Sequence, residues 1–217
     1  MLTAEKAHLL LTRPSGLSEA PALHGTALAA AALADLREAH LVRIEDAPAK
    51  DARVWTARGG AAGHPVLDTL LASLDRLSGK KVDALVAKGK PDARKAVVAH
   101  LAETGELEKQ KKSLLDTRHV PANPATRQGL LDHLGAVAAG DAEATDEDRL
   151  LIGVLHQVNV AHRLLPGGPA GESRRDAARR LESLTRGDVL VQTVREAVAG
   201  HTSLAAAVAA GGEPVED

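Results

Sequence analysis

The chain has 217 residues, enough for one large or two small domains, and its formal net charge is only −2. It contains no cysteine, which excludes disulfides and thiolate metal sites, and Trp55 is its only residue of the Phe, Tyr and Trp class. The near absence of aromatic rings removes the stacking platforms that single-stranded nucleic-acid binding proteins use.

The first third of the chain predicts two helices and a hairpin. Thr3 is a candidate N-cap for a helix that runs to about Arg13, and an alanine-rich helix follows from near Ser18 or Pro21 to residue 40. Residues 41–45 and 52–56 alternate in polarity, which predicts a β-hairpin. Trp55 lies within it, and we expect its ring to fill the core beneath the hairpin, with a headgroup or lipid contact as the alternative.

The middle of the chain predicts three helices and a second hairpin. Pro65 is a good first residue for a helix whose leucines recur at i, i+3, i+4 and i+7, and a short helix follows at 82–89. A longer helix is predicted from Pro91 to Gly105. The stretch LEKQKKSLLDTRHV at 107–120 then predicts a hairpin centred on Lys112 and Ser113.

The last third predicts helices alone. They cover residues 124–140, 145–165 and 172–187, and Thr145 with its acidic neighbours is a strong N-terminal signature. Residues 188–210 are interpreted as a final pair of helices, and 211–217 as a disordered tail. The sequence therefore predicts a mainly α fold, a single-domain multi-helix bundle with small β-hairpins spanning residues 1–210.

Positive charge is concentrated in one segment. Residues 80–112 hold eight of the ten lysines together with Arg94, for a local net charge of +4, so the remainder of the chain carries −6. Lys88, Lys90 and Arg94 cluster at a predicted helix N-terminus, where free backbone N–H groups favour a phosphate. Such asymmetry predicts an anionic partner, although a solvated surface is the simpler interpretation.

The sequence predicts no catalytic or metal site. The ten histidines show no i, i+4 pair with a nearby Glu, and we expect them at the surface or the core edge. The glycine-rich stretches at 58–65 and 166–171 lack the ending of a phosphate loop. We therefore expect neither an enzyme nor a cofactor.

The order of five motifs resembles the Golgi phosphoprotein 3 family, which binds phosphatidylinositol 4-phosphate, in its shorter bacterial form. The resemblance runs from about Leu2 to about Val198, and its motifs are LTAEKAHLLL, ALADLREAHLVRIED, AGHPVLDTLL, ARKAVVAHLAETGEL with LLDTRHVP, and EDRLLIGVLHQVNVAHRLL. It implies a mainly helical domain, a headgroup pocket of tryptophan and arginines, and a projecting hairpin that contacts the membrane and supports self-association.

The family's pocket residues are carried over only in part. The pocket tryptophan falls at about Ala20, the first arginine at about Ala29, and the remaining two arginines at Pro91 and Arg94. The resemblance thus implies Arg94 for the headgroup site, and Lys88 and Lys90 of the charge cluster are expected to substitute nearby, although lysine lacks the bidentate fork of arginine.

The membrane-contacting hairpin is expected to use cations and two leucines: Lys109, Lys111, Lys112, Leu114 and Leu115.

The leading hypothesis is a peripheral protein on the inner face of the plasma membrane, facing the cytoplasm. It would bind anionic phospholipid, with phosphatidylinositol 4-phosphate as the specific candidate. The local charge of +4 would contribute roughly 4 kcal/mol at low salt, which predicts weak, salt-sensitive binding.

Two other classes remain open. Three helices and a hairpin at 65–118 are also the order of a winged helix, so the alternative is a DNA-binding module, but we expect no nucleic acid because Arg94 is the only arginine on the recognition helix. A helical scaffold would bind protein partners through its alanine-rich faces.

Overall fold

The computed structural model confirms the mainly α fold class. It describes residues 1–57, 62–74, 76, 78–111, 113, 117–165 and 172–210, apart from the side chains at 74, 174, 201, 202 and 204–210. The helices in these ranges are α1 (Thr3–Leu11), α2 (His24–Glu38), α3 (Pro65–Leu74), α4 (Val82–Ala87), α5 (Arg94–Glu103), α6 (Pro124–Ala139), α7 (Asp146–Gln157), α8 (Ala161–Leu164), α9 (Arg174–Leu184) and α10 (Val189–Ala210). None of the helices in these ranges combines the length and the apolar character needed to cross a bilayer.

Helix α2 forms the centre of the bundle. Its alanines at positions 27 and 29–32 are fully buried, and it packs against α1, α3, α4, α7 and α10. Alanine adds little bulk and little side-chain entropy cost, so neighbouring helices can approach the α2 backbone closely. The alanines of α2 therefore suit its central position.

The N-terminus of α1 is capped from another helix. Leu2, not Thr3, is the N-cap residue, and Thr3 is already helical. The carboxylate of Asp35 on α2 accepts the N–H groups of Thr3 and Ala4, each at 2.8 Å. The predicted Thr3 cap is wrong because a buried carboxylate from a distant part of the chain satisfies the amides that a local hydroxyl would have served.

Several helix boundaries differ from the prediction, and α2 begins at His24 rather than near Ser18 or Pro21. Helix α5 begins at Arg94 rather than Pro91, after a cis Lys90–Pro91 peptide bond, and Asp92 Oδ1 accepts the Arg94 N–H at 3.3 Å. The helix predicted over 145–165 is interrupted at Asn159, whose φ is +60°, and resumes as the short α8.

The predicted final pair of helices is one continuous helix, α10. Gly200 lies inside this helix. A glycine lowers helix stability by about 1 kcal/mol without forbidding the helical backbone.

The first hairpin pairs β1 (Val42–Ile44) with β2 (Val54–Thr56) in antiparallel register. Val42 and Val54 point into the core, so alternation along β2 turns Trp55 outward. The indole is 39% exposed, and its Nε1 donates to Glu45 Oε1 at 2.8 Å. The expectation that Trp55 fills the core is therefore wrong, because Val54 occupies the inward position.

The second hairpin pairs β3 (Leu107–Lys111) with β4 (Thr117–Pro121). Its strands lie where the sequence predicts them, and Leu107 anchors the base in the core. Lys112, Leu114 and Leu115 lie outside the described residues, so their membrane contact stays a prediction.

Substitution by alanine at two helical glycines is expected to change the free energy of unfolding in opposite directions. A Cβ at Gly135 in α6 would meet nothing within 4 Å, so Gly135→Ala is expected to raise the free energy of unfolding by up to about 1 kcal/mol through helix propensity. A Cβ at Gly153 in α7 would lie 2.5 and 2.9 Å from the two methyls of Val191. Gly153→Ala is therefore expected to destabilise the protein by about 1–2 kcal/mol, because overpacking outweighs the propensity gain.

Urea unfolding followed by circular dichroism measures both changes. Two variants that shift the midpoint in the same direction would contradict the close contact between α7 and α10.

Candidate functional site

A pocket of about 740 Å³ opens between α5, the second hairpin and the α1–α2 connection. Among the described residues, the side chains that line it include four cations and two acids: Arg94, Lys95, Lys109, Arg118, Asp92 and Glu103. Its volume is typical of sites for small molecules and headgroups, and its charge favours an anion.

Arg94 is the first residue of α5 and lines the pocket. Its side chain is exposed, and within the described residues its guanidinium has no hydrogen-bond or ion-pair partner. The N-cap, Ala93, has no side chain that could cap the helix. Arg94 therefore presents its five N–H donors beside the positive end of a helix, an arrangement suited to a phosphate.

The hairpin supplies the facing wall. Lys109 on β3 and His119 on β4 are directly opposed in the register, and both line the pocket. Lys111 shares the face of Lys109 because side chains alternate along a strand, and it lies one step closer to the turn. The structure thus brings Lys109 together with Arg94, whereas Lys111 extends the basic surface beyond the pocket.

A buried chain of hydrogen bonds forms the floor of the pocket. Ser18 Oγ lies 2.7 Å from His24 Nδ1, and His24 Nε2 lies 3.0 Å from His8 Nδ1. The contact between the rings needs one N–H and one lone pair, so it can hold only one proton. Charging both rings would therefore break this bond.

Burial is the main reason why both rings stay neutral. It lowers the pKa of His8 to about 3, with further contributions from His24, Arg94 and His119. It lowers the pKa of His24 to about 4, with Arg94 as the second cause. At neutral pH the positive charge of the pocket therefore comes from arginine and lysine, while the floor contributes neutral hydrogen-bonding groups.

A cluster of ion pairs holds the α1–α2 connection in place. The buried carboxylate of Glu19 pairs with Arg13 at 3.0 Å, Arg127 at 3.3 Å and Arg163 at 2.7 Å. Arg127 also donates to the carbonyls of Leu9 and Leu10, both at 3.1 Å. This Glu19 cluster ties the connection to α6 and α8.

The predicted headgroup residues separate into two groups. Arg94 lines the pocket, whereas Lys88 and Lys90 are exposed in the α4–α5 connection outside its lining. That connection packs against the start of α2, where Gly89 meets Gly25. Of the three residues, Arg94 alone belongs to the pocket lining.

The positions matched to the family's tryptophan and first arginine do not contribute to the pocket. Ala20 is 8% exposed, Ala29 is fully buried in the core, and neither lines the pocket. His24 is the residue of α2 that faces the pocket instead. No sequence pattern indicates this pair, because His8 and His24 are sixteen residues apart, and the expectation of surface or core-edge histidines is wrong for both.

An exposed leucine lies beside the pocket. Leu17 is 46% exposed, and the pocket lining includes Gly16 before it and Ser18 after it. Gly16 has a φ of +77° and approaches the hairpin so closely that a Cβ would lie 2.8 Å from the carbonyl oxygen of His119. This close approach fixes Leu17 at the rim of the pocket.

Comparison with known proteins agrees with the resemblance seen in the sequence. No curated protein matches the chain. The family model described as Golgi phosphoprotein 3 (GPP34) matches residues 4–200, which include every element that builds the pocket. The chain therefore belongs to the Golgi phosphoprotein 3 family.

Proposed function

We propose that the protein binds the phosphorylated headgroup of an anionic phospholipid in the Arg94 pocket, and that this contact attaches it peripherally to a membrane. The observation that carries the proposal is an open cavity of about 740 Å³ lined by Arg94, Lys95 and Lys109, in which the Arg94 guanidinium has no hydrogen-bond or ion-pair partner among the described residues. A phosphate monoester has the charge and the oxygen geometry that arginine binds with two parallel hydrogen bonds.

Leu17 supports a lipid rather than a free phosphate compound as the ligand. An exposed leucine at the rim would contact acyl chains or the interface when a headgroup enters the pocket. Lys111 would lie over the same anionic surface and contribute about 1 kcal/mol at low salt. Cations and one apolar side chain favour weak, reversible attachment, strengthened by a specific headgroup.

Substitution of Arg94 tests the proposal. Arg94→Ala is expected to weaken binding to vesicles containing phosphatidylinositol 4-phosphate about tenfold or more, because charge-assisted hydrogen bonds are lost. Arg94→Lys should retain part of the affinity, since it keeps the charge and loses the fork. Co-sedimentation measures both, with phosphatidylcholine vesicles and phosphatidylserine vesicles of equal surface charge for comparison.

Arg175→Ala is the matched control because it removes the same charge from an exposed position on α9, outside the pocket lining. Leu17→Ser should weaken vesicle binding while leaving the affinity for a water-soluble inositol phosphate unchanged. Equal sedimentation with neutral and anionic vesicles at low salt would refute the proposal. Retardation of duplex DNA that depends on Arg94, without vesicle binding, would favour the DNA-binding alternative.

A further inference from the structure

Two histidines and one glutamate from distant parts of the chain meet beside α1. Glu5 belongs to α1, His64 immediately precedes α3, and His100 lies on α5. One carboxylate oxygen and one nitrogen from each ring lie within 4.8 Å of one another. From these three residues, we infer a binding site for a divalent transition-metal ion, with Zn²⁺ as the ion that best fits the ligands.

The carboxylate of Glu5 is already oriented. Its side chain is 2% exposed, and its Oε2 accepts the Leu2 N–H at 2.7 Å. Its other oxygen, Oε1, lies 2.5 Å from His100 Nδ1. One oxygen is thus fixed by the backbone, while the second faces the two rings, as in metal sites whose ligands are held by additional hydrogen bonds.

The two histidines and Glu5 form a ligand set that is intermediate between hard and soft. The His64 and His100 ring centroids are 4.6 Å apart and both rings are half-buried, so solvent can reach them. Two imidazoles and one carboxylate are a common ligand set for Zn²⁺ with an open fourth position, whereas Mg²⁺ and Ca²⁺ prefer oxygen alone. The ligands therefore favour zinc over the hard cations.

Only small movements are needed to close the site. With bonds of about 2.0–2.1 Å, tetrahedral ligands lie roughly 3.3 Å apart. The Glu5–His100 contact would open slightly, and His64 would move inward from its loop. His64 Nδ1 now accepts a long hydrogen bond of 3.3 Å from the Val66 N–H, and coordination through Nε2 would place a proton on Nδ1 and break that bond.

The proposed zinc site of Glu5, His64 and His100 is separate from the headgroup pocket, although both use α1 and α5. His100 does not line the pocket, while Lys95, Val98 and Ala102 do. Residues on a helix turn by about 100° each, which places His100 on a different face of α5 from these three. Neither site depends on the other, so loss of metal binding would leave the Arg94 proposal intact.

Zinc titration of the tag-free, chelator-treated chain tests the inference, with a chromophoric chelator as competitor in a phosphate-free buffer. We expect one equivalent of Zn²⁺ per chain. Loss of even an outer hydrogen-bond partner of a ligand weakens metal affinity by about 10–100-fold, so His64→Ala, which removes a ligand, should weaken it by about 100-fold or more. Cobalt substitution should give the visible absorption of a tetrahedral site in the parent chain but not in the variant.

Two controls address the other histidines. His133→Ala disrupts a histidine–carboxylate pair, with Asp148 at 2.9 Å, that has no third ligand in the part of the chain that the structure describes, and it should leave affinity unchanged. His119→Ala removes a histidine of the headgroup pocket and should also have no effect.

A conservative variant and melting temperatures separate the loss of metal binding from a loss of folding. Glu5→Gln keeps the shape of the side chain, and zinc should raise the melting temperature of the parent chain but not of the His64 or Glu5 variants. No saturable zinc binding, or binding unchanged in His64→Ala, would overturn the inference and leave Glu5 and His100 as a structural ion pair.

Discussion

Lowering the pH from 7 to 5 is expected to reduce the free energy of unfolding by about 2 kcal/mol for each of His8 and His24. Burial holds their pKa values at about 3 and about 4 in the folded protein, against an ordinary value of 6.5. The unfolded chain therefore binds protons in this range while the folded protein does not. The stability that the two neutral rings contribute is complete above pH 6.5 and is lost as the pH falls toward their folded values.

Urea midpoints at several pH values measure this loss. In a chain with His8→Gln and His24→Gln, the urea midpoint should change much less between pH 7 and pH 5 than in the parent chain, because amides do not titrate there. His162→Gln replaces an exposed histidine and should follow the parent curve. A double variant with the same pH dependence as the parent chain would show that other groups cause the acid sensitivity.

Asp35→Asn is expected to destabilise the protein by about 2–4 kcal/mol, although it changes neither size nor shape. The carboxylate accepts two backbone N–H groups in a buried position, and an amide can accept only one with the same geometry. The amide's own N–H₂ would then face a second donor, which leaves a buried N–H unsatisfied at a cost of about 1–3 kcal/mol before repulsion is added.

The matched control is Asp51→Asn, which affects an exposed pair with Lys81 at 3.4 Å and should change stability by less than about 1 kcal/mol. Burial raises the pKa of Asp35, while hydrogen bonds from Thr3 and Ala4 act in the opposite direction. An unchanged urea midpoint for Asp35→Asn would mean that a neutral carboxyl group occupies this position.

Signals that act within a few residues were predictable. Thr145 caps α7 in a reciprocal box with Asp148, and Gly140 ends α6 with a left-handed backbone, both as their local sequences indicate. The strands of the first hairpin also follow from alternation of side chains. In each of these cases the atoms that decide the conformation belong to neighbouring residues.

The errors concern interactions between distant residues. Thr3 was expected to cap α1, but Asp35 does so from a helix 32 residues further along. Trp55 was expected inside, yet which face of a two-stranded hairpin is covered depends on the helices that pack on it. The continuous α10 is a further example, because packing against other helices can stabilise a helix that contains a glycine.

The candidate site was predictable only in part. Arg94 and Lys109 came from charge and resemblance, and the fold places both in the pocket lining. The His8–His24 pair and the proposed zinc site could not be found from the spacing of residues in the sequence, because their members come from separate segments. Residues that meet only after folding leave no periodic signal in a single sequence.

The Glu19 cluster has a consequence for how tightly a ligand can be held. Three guanidinium groups fix the loop that carries Leu17 and Ser18 before any ligand arrives. A binding loop that is already ordered loses little conformational entropy on association, so more of the interaction energy appears as affinity. Glu19→Gln should therefore slow lipid capture and weaken it, even though Glu19 lies outside the pocket lining.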